Sequence, residues 1–161
     1  MDEDRITIIR PGKYFGYRVA ALAVRDGHVL LHRSELDDFW SLAGGGCELL
    51  ETSETALRRE MREEMGIEVR VERLLWVVEI FFQRAGTAFH EIGFIYLIDV
   101  GDDYGPHVRP AFKGIEGPLD LFFRWFPVDE LETMRIYPSF LCTALRDIPQ
   151  TVQHIVHRKM Q

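Results

Sequence analysis

The 161-residue sequence predicts an α/β fold, one mixed β-sheet between helices, in a single domain spanning residues 1–161. Three observations predict it. Strand-like runs joined by short turn signals lie on both sides of the stretch 44–67. That stretch opens on glycines and continues as one capped, amphipathic helix. Two further runs near the end, Pro138 to Leu145 and Pro149 to Lys159, carry proline at their start and read as closing helices.

Taken in order, Arg5 to Arg10 is a short apolar-rich run suited to an edge strand, and such an edge can pair across a homodimer. Tyr17 to Val24 and Val29 to Arg33 flank Arg25-Asp26-Gly27-His28, where Asp-Gly tolerates positive φ and signals a hairpin. Ser34 to Asp38 is a polar loop leading to Trp40 and the glycines. Thr52 or Ser53 can cap the following helix, and Gly66 can take the left-handed conformation that ends it. Glu68 to Val71 and Leu74 to Phe82 read as extended. Arg84 to Thr87 is a turn, and Ala88 to Val100 is the partner strand. Gly101 to Asp120 lacks apolar periodicity and is long for a compact domain, which suits either a binding loop or an insertion without a role. Leu121 to Phe126 returns to strand, and Val128 to Leu131 begins a helical turn.

The chemistry is concentrated on the helix. Ala56, Leu57, Met61 and Met65 form its apolar stripe, and Glu60, Glu63 and Glu64 stand beside it on one face. Like charges at that spacing weaken a helix by roughly 0.2–0.5 kcal/mol per pair. A divalent cation would remove the repulsion. Without further context, adjacent glutamates are more often a solvated helix face.

The context is present. Gly45, Glu51, Arg59, Glu60, Met61, Glu63, Glu64, Gly66 and Ile67 fill the pattern G-x5-E-x7-R-E-U-x-E-E-x-G-U, U being a bulky aliphatic residue. This stretch resembles the Nudix box. Trp40 to Gly45 is similar to the usual run into the box, with Ala43 where proline is common, and Leu50 replaces a frequent glycine. The resemblance implies a Nudix-type α/β/α sandwich with a central mixed sheet. It implies a hydrolase that opens a phosphoanhydride bond in a nucleoside diphosphate linked to another moiety, of nucleotide-sugar or ADP-ribose type. Alternatives are a house-cleaning nucleoside triphosphate pyrophosphatase, a non-catalytic ligand-sensing domain, and a purely structural acidic helix.

By the same resemblance the cofactor is Mg²⁺, with Mn²⁺ as a substitute. Glu60 and Glu64 are its principal ligands, Glu63 ligates directly or through water, and the Gly45 carbonyl can add a ligand. Arg59, four residues before Glu63, would hold that acid in place, and Glu51 would cap the helix or bind metal through water. Glu60, Glu63, Arg59 and Glu91 form the candidate catalytic set. In Ala88 to Val100 the alternation puts Phe89, Glu91, Gly93, Ile95 and Leu97 on one face, so Glu91 is either hydrogen-bonded structure or a desolvated base. His90 faces the other way. Glu79, Phe82 and Arg33 are the candidate substrate contacts. Trp76 and Phe81 are further stacking candidates, and Arg18 and Lys113 further phosphate contacts. Aromatic residues in strands are more often core. Ile80 to Arg84 carries neither the proline of some ADP-ribose-cleaving members nor the tyrosine of some dinucleoside-polyphosphate members.

Composition sets limits on partners. A net charge of −7 disfavours nucleic-acid binding, which wants a basic face, but admits a small nucleotide partner. No apolar run approaches a membrane span, and the acidic start Met1-Asp2-Glu3-Asp4 lacks the features of a signal peptide. Cys47 and Cys142 lack metal-type spacing and read as free thiols in a reducing cytoplasm.

Overall fold

A computed structural model describes residues 4–115 and 117–159. The acidic residues 1–3 and Glu116 of the long loop lie outside the described residues. Among the described residues, nine strands and two α-helices follow in the order β1 (Thr7–Arg10), β2 (Lys13–Arg25), β3 (His28–Ser34), β4 (Ala43–Gly46), α1 (Ser53–Met65), β5 (Arg70–Arg84), β6 (Thr87–Asp99), β7 (Ala111–Lys113), β8 (Leu121–Pro127), α2 (Leu141–Ala144) and β9 (Gln153–Arg158). The sheet runs β7-β8-β3-β2-β6-β5-β9, with β1 and β4 also paired to β2. It is mixed: β2 runs parallel to β6 and β5 parallel to β9, while the hairpins are antiparallel. The β2–β3 turn forms at Asp26 and Gly27, both with positive φ, as the Asp-Gly signal predicts.

Alternation along β2 divides the core between two faces. Val19, Ala21 and Ala23 point to the side where Ala56, Leu57, Met61 and Met65 of α1 are buried. Leu22 points to the other side, where it joins Val78 and Ile95 beneath Leu131, Leu141 and Leu145. These last three come from a 3₁₀ turn over Val128–Thr133 and from α2 with its C-terminal cap. The α/β reading therefore stands, with one long helix on one face and short helical turns on the other. Leu57 and Met61 are fully enclosed, worth roughly 1.5–3 kcal/mol each relative to exposure.

Two expectations are corrected. Pro149 to Lys159 is not a closing helix, because Gln153–Arg158 pairs with β5 from Trp76↔Gln153 to Phe81↔Arg158. Its β-branched Ile155 and Val156 suit a pleated strand, and an open sheet edge outweighs the proline at its start. The long loop also has structure of its own: β7 pairs with β8, and the Ile115 N–H donates to the Glu64 carbonyl at 2.9 Å. It thereby closes the C-terminal end of α1.

Candidate functional site

The glycine run is forced by close approach. β4 pairs with β2 so that Val19 faces Gly45 and Ala20 faces Gly44. A Cβ on Gly45 would fall 2.2 Å from the Glu60 carboxyl carbon, so the acid lies directly against bare backbone. Leu50 sits in the left-handed region at φ 66°, fully exposed, where the sequence departs from the common glycine. The chain then enters α1 with Thr52 as N-cap, its hydroxyl accepting from the Thr55 N–H at 3.1 Å, and leaves it at Gly66 in the left-handed conformation. Ser53 Oγ meets the Tyr96 hydroxyl at 2.6 Å, which ties the start of the helix to β6.

Arg59 fastens the loop to the helix. Its Nε and Nη2 donate to the two Glu51 carboxylate oxygens at 2.8 and 3.0 Å, and Nη2 also donates to the Gly46 carbonyl at 2.9 Å. Nη1 reaches Glu60 at 3.0 Å and Glu63 only at 3.5 Å. Glu51, not Glu63, is thus the main partner of Arg59, a correction to the pairing read along the helix. Glu51 also accepts the Glu48 N–H at 3.0 Å, so it organises the loop instead of capping α1. The Arg59 hydrogen bonds hold the Glu51 carboxyl below its usual range, and the same pairing pushes the guanidinium up.

The three helix acids differ in surroundings. Glu63 is half exposed. Glu60 is buried, paired with Arg59 and, at 3.7 Å, with Arg5. Burial raises its carboxyl despite both arginines, with Arg59 opposing most strongly. Glu64 is 15% exposed, and its Oε2 is enclosed with no hydrogen-bond partner. Burial first, then the neighbouring Glu60 charge, push its carboxyl up to about 8. His32 Nδ1 lies 3.9 Å away, also enclosed and unpartnered, and burial pushes that imidazole down to about 4. Glu64 Oε2 and His32 Nδ1 are thus two enclosed polar atoms facing each other without a hydrogen-bond partner, an arrangement that a bound cation would satisfy at the carboxylate. Hard oxygen ligands at Glu60 and Glu64, with bare Gly45 backbone beside them, fit a divalent ion of the magnesium type. Among the described residues, no three acidic, histidine or cysteine side chains already converge as a complete ligand set.

Beyond the helix, the structure separates the other candidates. Glu91 is 13% exposed, 4.0 Å from Arg18 Nε, and burial raises its carboxyl while Arg18 opposes. Arg18 is flanked in its row by Gly46, against which the Arg5 side chain lies, and by Gly93, beside which the space is open. Its charge also bears on Glu64. Glu79 does not join Glu91. The register Ile80↔Glu91 puts Glu79 on the opposite face, where it meets His154 Nε2 at 2.8 Å. Arg33 is exposed over the Trp40 ring, while its neighbour His32 turns to the acids. Lys113 pairs with Asp120 at 2.9 Å. Trp76 is buried core, and Phe82 stacks on Phe89 at the rim of a cleft. His90 stacks on Phe81 away from Glu91, as the alternation predicts. Sequence reasoning missed His32, Arg5 and Tyr137, whose relation to the acids depends on contacts distant along the chain.

Comparison with known proteins identifies the family. The NUDIX domain profile matches residues 15–141. A MutT-like protein from Streptomyces ambofaciens is 47% identical over a stretch covering 56% of this chain and 80% of that one. The CTP pyrophosphohydrolase of Escherichia coli K12 is 46% identical, but the match covers 33% of this chain and only 42% of that protein's length. In fold, the chain is similar to the MutT protein from Bacillus halodurans, with a TM-score of 0.59, 15% identity, and coverage of 89% of this chain and 90% of that one. With the profile spanning both the glycine loop and the acid-bearing helix, the chain belongs to the Nudix hydrolase family.

Proposed function

We propose that this Nudix hydrolase is a Mg²⁺-dependent pyrophosphohydrolase of nucleotides, with Mn²⁺ able to substitute. The observation that carries the reading is the enclosed, unpartnered Glu64 oxygen beside buried Glu60. Glu60 and Glu64 would hold the ion, with Glu63 and the Gly45 carbonyl as further ligands. When bound, the ion supplies charge neutralisation at the phosphate oxygens and acidifies attacking water.

The chain's own groups do the rest. Arg59 locks Glu60 and the glycine loop in position through Glu51 and Gly46. Arg18, beside Glu91 and with its charge bearing on Glu64, offers a guanidinium to a phosphate. Glu91 Oε2 takes the proton from the attacking water, a role suited to a carboxyl raised by burial. Glu79 and Arg33, held at His154 and Trp40, are not assigned to substrate.

The substrate class is a nucleoside di- or triphosphate derivative. The nucleotide-sugar and ADP-ribose types are the first reading and nucleoside triphosphates the alternative, toward which the partial similarity to a CTP pyrophosphohydrolase points. A panel of nucleoside triphosphates, nucleotide sugars, ADP-ribose and dinucleoside polyphosphates with Mg²⁺, followed by product identification, tests this. Phosphoanhydride cleavage that disappears in Glu64→Gln supports the reading. No cleavage of any member, or unchanged cleavage in the variant, overturns it.

A further inference from the structure

The segment before β1 is pinned to the loop that leads into α1. The Ile6 N–H donates to the Cys47 carbonyl at 2.9 Å, and the Leu49 N–H donates to the Asp4 carbonyl at 2.8 Å. Between them, Arg5 and Glu48 form an antiparallel bridge. The backbone is thus fixed on both sides of Arg5, and its side chain starts from a set position. Bare Gly46 backbone admits that side chain, because a Cβ there would fall 3.2 Å from Arg5 Cδ. Arg18 pairs with the same glycine in the β2–β4 register. Opposite residues of an antiparallel pair project to one side of the sheet, so Arg5 and Arg18 lie on the same side of Gly46.

Arg5 Nη2 ends 3.7 Å from Glu60 Oε1, the oxygen that also accepts from Arg59 Nη1 at 3.0 Å. The two arginines differ in what else they can do. Arg59 is largely enclosed and grips Glu51 and the Gly46 carbonyl as well. The Arg5 side chain is 40% exposed and stands beyond hydrogen-bond length from Glu60, so it can turn to a ligand. A divalent ion on Glu60 would put a second positive charge beside Arg5, and like charges so placed repel. A diphosphate relieves that repulsion, since its oxygens can face the ion and the guanidinium together.

We propose that Arg5 is a phosphate-binding residue of this enzyme, which pairs with Glu60 until the ion binds and then with the diphosphate of the substrate. The inference rests on the metal-dependent reading above and adds to it a residue outside residues 15–141, the part that matches the family.

The test uses binding, not turnover, and exploits a difference in sign. Arg5→Gln removes a positive charge beside the ion, so Mn²⁺, followed by electron paramagnetic resonance, should bind at least twofold more tightly than in the parent. The same variant, loaded with Mn²⁺, should bind methylenediphosphonate, a diphosphate mimic with an uncleavable bridge, at least fivefold more weakly by calorimetry. Arg5→Lys keeps the charge and should bind the mimic more tightly than Arg5→Gln. In the Mg²⁺-loaded parent, the ¹⁵Nε resonance of Arg5 should shift when the mimic is added, a readout that does not require the variants to fold. An arginine that only braces the loop would loosen metal and mimic alike when replaced. Mn²⁺ bound no more tightly in Arg5→Gln, unchanged affinity for the mimic, or an unmoved Arg5 resonance would overturn the proposal. Such results with Mn²⁺ still bound by the parent sink only this inference, whereas a parent that binds no Mn²⁺ sinks the preceding reading and this one with it.

Discussion

Replacing Glu64 by Gln removes an ionisable carboxyl from an enclosed position at nearly constant volume, so its effect on stability can be worked out with its sign. The folded carboxyl titrates near 8 against an ordinary value of 4.5, chiefly because of burial and the Glu60 charge. The folded state therefore binds this proton more tightly than the unfolded chain. Without metal, stability falls as pH rises from 4.5 to about 8, by roughly 1.4 kcal/mol per unit. At pH 7 the accumulated cost is about 3 kcal/mol. A glutamine amide avoids that cost but brings about 1 kcal/mol of its own desolvation. Glu64→Gln should thus stabilise the metal-free protein by about 2 kcal/mol at pH 7, or about 4–8 °C in Tm for a chain of this size. Thermal melts in EDTA from pH 5 to 8 check this. The gain should be near zero at pH 5 and grow with pH. A pH-independent difference, or a parent that is the more stable at pH 7, refutes the reasoning.

Three other outcomes are expected. In pH–rate profiles of the parent, activity should rise as the buried Glu91 carboxyl loses its proton above the usual carboxylate range, and Glu91→Gln should flatten that rise; an unchanged profile demotes Glu91 to structure. Arg59→Lys keeps the charge but cannot grip both Glu51 oxygens and the Gly46 carbonyl, so melts should show a loss of about 1–3 kcal/mol and assays at least a tenfold drop in kcat. Leu50→Asn relieves a left-handed backbone at a fully exposed position, so it should stabilise by about 0.5–1 kcal/mol with activity unchanged.

How much of this was legible depended on whether the determining contacts are local. The caps Thr52 and Gly66 and the stripe Ala56, Leu57, Met61, Met65 act within one helix, and the structure reproduces them. The Asp26-Gly27 hairpin is equally local. The partner of Arg59 was misread because a bend at Leu50 swings Glu51 back onto the helix, and nothing in the helical spacing encodes that bend. β9 was misread because a short β-branched segment is decided by the open edge of β5, more than sixty residues earlier in the chain. Glu79 was read as a substrate contact until the register set it on the face opposite Glu91. His32 carried no signal at all, since its meaning comes only from lying against Glu64.

The central claim is that the acids of α1 hold a divalent cation. It is tested most directly by titrating metal-free protein with Mn²⁺ and following the free ion by electron paramagnetic resonance, in the parent, Glu64→Gln and Arg33→Ala. Saturable binding in the parent, at least tenfold weaker in Glu64→Gln and unchanged in Arg33→Ala, is the expected result. Equal binding in the parent and Glu64→Gln, or none in either, would contradict it.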